Sequence, residues 1–97
     1  MSLSRQEQAA TLAGLVDVDD AGRVLWHYLG AASGAPEPGG FFKALTEAVV
    51  RADQLNRRKL AASFPGLVAA VQLADAFVDG FDHLRLVLAS GRRGPRL

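Results

Sequence analysis

The chain lacks cysteine and isoleucine, holds a single methionine and a single tryptophan, and carries only two lysines against nine arginines. Without cysteine there is no disulfide framework and no thiolate zinc site, and a small secreted domain without such staples is unusual. That elimination points to the cytoplasm. A membrane span needs about 20 predominantly apolar residues. The best candidate, Phe64 to Val78, is interrupted by Pro65, Gln72 and Asp75. The opening MSLSRQEQAA has no basic stretch followed by an apolar one, so no secretory signal is expected. Low hydrophobicity with high net charge, the signature of disorder, is also missing: 49% of residues are hydrophobic and the formal charge is +1.

What is present suits one folded domain of 97 residues with one modest core. Ser33 to Gly40, SGAPEPGG, packs two prolines and three glycines into eight residues, and no helix crosses such a stretch. It divides the chain as a connector. The fold class expected is all-α, a bundle of four to six helices over residues 1–91 with that flexible connector at 33–40. A basic tail, 92–97, follows.

Ser4 and Glu7 fit a capping box opening a first helix to about Val16, with Leu12, Leu15 and Val16 turned inward. Asp19 or Asp20 would cap a second helix ending near Ala32, whose stripe centres on Leu25 and Leu29. Trp26 and Tyr28 flank that stripe. A third helix follows from Phe41, Leu45, Ala48, Val49 and Ala52. It bears a second, weakly polar stripe of Phe42, Thr46 and Val50, so it is expected to be central or to touch a partner. Asp53 suits an N-cap for a fourth helix, Gln54 to Ser63, with Leu60, Ala61 and Phe64 inward, and Pro65 suits the first turn of a fifth. From Leu67 to Leu88 the pattern fits one long helix weakened at Asp79-Gly80, or two. The alternative is an α+β fold. Val16 to Leu25 resembles a hairpin, and Leu84, Leu86 and Leu88 alternate, which would put short strands near 14–28 and 81–89.

Three blocks then stand out. They are Leu25-Trp26-His27-Tyr28-Leu29; Pro38-Gly39-Gly40-Phe41-Phe42-Lys43-Ala44-Leu45; and Arg51-Ala52-Asp53-Gln54-Leu55-Asn56-Arg57 followed by Phe64-Pro65. Over residues 25–65 this layout resembles small uncharacterised helical proteins of bacteriophages and mobile elements. The resemblance implies a small helical phage-type protein and brings no catalytic residue with it. The chain's 17 alanines and its excess of arginine over lysine match the codon bias of GC-rich, for example actinobacterial, genomes.

No catalytic constellation emerges. Asp17, Asp19 and Gly22 imitate the start of a calcium loop, but the place of its bidentate acid is held by Tyr28, and helix capping accounts for these acids. His27 and His83 fall opposite their apolar stripes with no metal-binding spacing. The glycine-rich connector lacks the Gly-Lys-Ser/Thr ending of a phosphate loop. Charge is more informative, because residues 1–50 sum to −3 and residues 51–97 to +4. Arg51, Arg57, Arg58 and Lys59 cluster at one helix junction, and Arg92, Arg93 and Arg96 lie in the tail. The expectation is a non-enzymatic module without cofactor or small-molecule substrate. It would bind a protein partner or a second copy of itself through Trp26, Tyr28, Phe42, Val50, Arg51, Arg57, Arg58 and Lys59. Nucleic acid is the lesser alternative, because a dedicated nucleic-acid domain carries much more positive charge. A structural component of a larger particle is a further one.

Overall fold

Short-range chemistry sets most of the helix boundaries in the computed structural model, which describes residues 3–93. Helix α1 (Arg5–Ala13) opens on the expected box. The Ser4 hydroxyl accepts from the Glu7 N–H at 3.1 Å, and the Glu7 carboxylate accepts from the Ser4 N–H at 3.1 Å. The helix stops three residues early, at Ala13, so Val16 is buried as expected but Leu15 is left 48% exposed. Helix α2 (Val18–Leu29) is capped by Asp17 rather than Asp19 or Asp20. Asp17 accepts from the Asp20 N–H at 2.9 Å and Asp20 returns the bond at 3.2 Å, a second capping box. Asp19 and Asp20 lie inside the first turn, where the helix dipole favours negative charge.

A short 3₁₀ turn, Gly30–Ser33, leads into the connector. Helix α3 (Gly40–Arg51) ends at Ala52, whose backbone is extended. Asp53 then caps α4 (Gln54–Ser63) by accepting from the Asn56 N–H at 2.8 Å, so the two are separate helices as expected. Only Phe64 separates α4 from α5 (Pro65–Ala76), with Pro65 in its first turn. The Leu67–Leu88 stretch resolves into α5 and α6 (Gly80–Ser90), interrupted at residues 77–79. The fold is all-α. The strands weighed near 14–28 and 81–89 do not form, and none occurs among the described residues. Both stretches close backbone hydrogen bonds within helices, whereas a lone strand would need a partner.

Helix α5 is the hub. It packs against each of the five other helices and buries Leu67, Val68, Ala69, Ala70, Val71 and Leu73. The central place, one of the two weighed for α3, belongs to α5, because α5 is small as well as apolar. At Gly66 a Cβ would stand 2.1 Å from the Asp20 carboxylate, and at Gly80 it would stand 1.7 Å from the Leu73 carbonyl oxygen. α1 touches only α5 and α6 among the helices. Side chains clasp it at both ends. Arg5 donates to the Ala76 carbonyl and lies 4.1 Å over the Phe77 ring. Arg92 donates to the carbonyls of Ala13 and Val16, while its own carbonyl accepts from the Val18 N–H at 2.7 Å. Arg93 pairs with Asp19. Two cations assigned to the tail are therefore engaged with the α1–α2 junction, and residues 94–97, Arg96 among them, lie outside the described residues. No described helix is long and apolar enough to cross a membrane.

Candidate partner-binding surface

Helices α3 and α4 form a hairpin along one side of α5, and the rotation of α3 decides what the hairpin shows. Thr46 and Val49 are buried, and Leu45 and Val50 pack on the core. The second stripe, Phe42–Thr46–Val50, expected to be covered by other helices or by a partner, turns inward: Thr46 is 1% exposed and Phe42 and Val50 are half-buried. What faces solvent instead is Phe41, 64% exposed, with Ala44 and Ala48. Phe41 leans toward Phe64 at the far end of α4, with ring centres 6.4 Å apart.

Helix α4 has no buried residue. Leu60 and Ala61 rest on the core, as expected of its inner edge, while the opposite face carries Leu55, 59% exposed, between Arg58 and Lys59. Between the two helices runs an open groove of about 360 Å³. Ala48, Ala52 and Leu60 give it apolar walls, and Arg51, Asn56 and Lys59 give it polar ones.

The four cations expected at this junction differ in their duties. Arg57 is taken up by the fold. It donates to the carbonyls of Val49 at 3.0 Å and Val50 at 3.1 Å, and to Asp75 at 2.6 Å, tying the end of α3 to α5. Arg51 is exposed and pairs with Glu47 at 3.3 Å. Arg58 and Lys59 project from α4 with no ion pair or hydrogen bond among the described residues.

The remaining candidates sit elsewhere. Trp26 and Phe42 flank the contact between α2 and α3, where the Lys43 ammonium lies 4.8 Å over the indole and the Arg23 guanidinium 3.4 Å over the Phe42 ring. Tyr28 is on another side of α2, edge-on to Phe81 at 5.5 Å. Burial, with the Asp75 charge second, raises its phenol above the usual value. The structure thus joins Arg51, Arg58 and Lys59 on one hairpin, separates Trp26 and Phe42 from them, and leaves Tyr28 apart.

Sequence reasoning missed Phe41, Leu55 and Arg23. Leu55 was within reach, since it falls opposite Leu60 and Ala61 on a helical wheel and so cannot share their core. Arg23 had no such signal, because its aromatic partner is 19 positions away in another helix. His27 and His83 are half-buried rather than solvated. His27 meets Tyr28 edge-on, and His83 lies 3.3 Å from Asp79. No grouping of three metal-ligating side chains exists among the described residues. Comparison with family models, curated proteins and solved structures yields no match to this chain.

Proposed function

We propose that this chain is a non-enzymatic protein-interaction module whose α3–α4 hairpin receives an acidic, apolar-faced segment of a partner protein. The observation that carries this reading is α4 itself: a helix without one buried residue, presenting Leu55 between Arg58 and Lys59, neither of which has an ion pair or hydrogen bond among the described residues. An apolar side chain held in water beside two uncompensated cations gains from a partner that brings an apolar face and carboxylates. Phe41 extends the apolar contact at the other end of the groove. Helices of 12 and 10 residues give a surface about 15–18 Å long, enough for roughly three turns of a partner helix. The resemblance to small phage proteins extends the reading to an accessory protein that binds a host or phage protein in the cytoplasm. Nucleic acid is less well supported, because Arg57 is engaged internally and the two α4 cations without a partner among the described residues supply few phosphate contacts.

Affinity capture with the wild-type chain, a Leu55→Glu variant and an Arg58→Glu/Lys59→Glu variant tests this. Both substitutions sit on an exposed face and leave the fold intact, as far-UV circular dichroism will verify. The expected result is a protein retained by the wild type and lost from both variants. Equal retention by all three, or tight binding to nucleic acid instead, overturns the proposal.

A further inference from the structure

We infer that the groove between α2 and α3 is a binding site for a small carboxylate carrying a planar apolar body. The inference stands apart from the hairpin reading. The two grooves share no residue and lie on opposite flanks of α3. This groove has a volume of about 190 Å³ and is bounded by Arg23, Trp26 and His27 of α2, by Lys43, Thr46 and Glu47 of α3, and by Pro38 of the connector. A neighbouring recess of about 230 Å³ shares Arg23 and Pro38 with it, so Arg23 stands on the wall between two hollows.

Three observations select the ligand. First, the Arg23 guanidinium is stacked 3.4 Å over Phe42 and makes no hydrogen bond among the described residues. Stacking fixes its plane and leaves the N–H fork open, the geometry that takes a carboxylate through two parallel bonds. Second, the other charges at the groove are already matched. Lys43 pairs with Glu37 while lying over Trp26, and Glu47 pairs with Arg51 at 3.3 Å. Arg23 has no ion pair among the described residues, although the Asp20 carboxylate feels its charge, and one such cation near the carboxylates of Asp20, Glu37 and Glu47 suits a singly charged acid better than a doubly charged phosphate. Third, Trp26 and Pro38 offer flat apolar surface, while Thr46 is buried with a hydroxyl that has no hydrogen-bond partner among the described residues. That oxygen is closed to solvent, so the contact the groove offers a ligand here is the apolar surface of Trp26 and Pro38.

Trp26 is the only tryptophan, so its fluorescence reports on the groove directly. The experiment is a titration of the full chain with phenylacetate, followed by Trp26 emission, with acetate and inorganic phosphate as comparisons. The expected result is a saturable change with phenylacetate, and much weaker effects of acetate and phosphate. Arg23→Gln is expected to weaken binding by about tenfold or more, the scale of a lost bidentate charge pair. Lys43→Gln leaves Glu37 an unpaired carboxylate beside the groove and removes the cation over Trp26, so it is expected to weaken binding several-fold and carries the test if Arg23→Gln fails to fold. Leu55→Glu should leave the titration unchanged, which separates this site from the hairpin. No saturable change, wild-type affinity in the Lys43 variant, or phosphate competing as well as phenylacetate would overturn the inference.

Discussion

Asp20 shows how much one side chain reveals once its surroundings are known. Its carboxylate completes the α2 capping box and lies under the first turn of α5, where a Cβ on residue 66 would touch it. Burial raises its pKa to about 6, with the neighbouring Asp17 a further influence and Arg23 opposing the shift. The folded state therefore binds this proton more tightly than the unfolded chain does. Its contribution to stability is fully present below the ordinary carboxylate value and is lost as pH rises through about 6. Thermal melts of the wild type and Asp20→Asn across pH 4 to 7 check the sign. The Asn variant is expected to gain on the wild type from pH 4 to about 6 and to level off above it, because an amide caps without becoming charged. A constant difference would mean that Asp20 is not perturbed. The sequence made this residue visible only as a cap. Its burial depends on Gly66, 46 positions away, which no local pattern connects to it.

At the scale of helices, starts and stops were legible while rotations and ranks were not. Asp53, Pro65 and the Ser4–Glu7 pair act on backbone groups within three or four residues, so α4 and the start of α5 could be read correctly from the chain alone. The inward face of α3 could not. Phe41, Leu45 and Val49 make as good a stripe as Phe42, Thr46 and Val50, and contact with α2, α4 and α5 sets the inward face between the two, burying Thr46 and Val49 and leaving Phe41 outside. Nor does apolar content say which helix is central, because α5 earns that place through Gly66, Ala69 and Ala70 as much as through its larger residues. Gly80 is the clearest case. It looked like a flexible weak point, yet it is a buried contact between the start of α6 and the Leu73 carbonyl. Gly80→Ala is expected to cost about 3 kcal/mol or more, the upper end for overpacking, because the obstacle is backbone and cannot rotate away. Urea unfolding measures it, and a cost under about 0.5 kcal/mol, the scale of an ordinary surface change, would show that α5 and α6 are not in contact there.

Over the whole molecule, α1 is the element held least by its sequence neighbours. It rests on α5 and α6 and is fastened by Arg5 and Arg92. Arg92→Ala removes two donors from carbonyls near the α1–α2 turn, and a loss of about 1.5–3 kcal/mol is expected for hydrogen bonds from a charged group. Amide exchange is the decisive measurement. Protection in α1 should fall well below that in α5, whereas a uniform loss would mean that α1 is not separately fastened. The same clasp imposes a schedule on the nascent protein. Val16 and Arg92 are 76 residues apart, which at typical synthesis rates is on the order of 4–15 s on the ribosome. Throughout that interval the nine residues of α1 are too few to hold a helix unaided, even with the Ser4 box. Helix α1 is thus made well before its seat on α5 and α6 exists, and Ala9 and Leu12 stay open to chaperones until those helices have emerged.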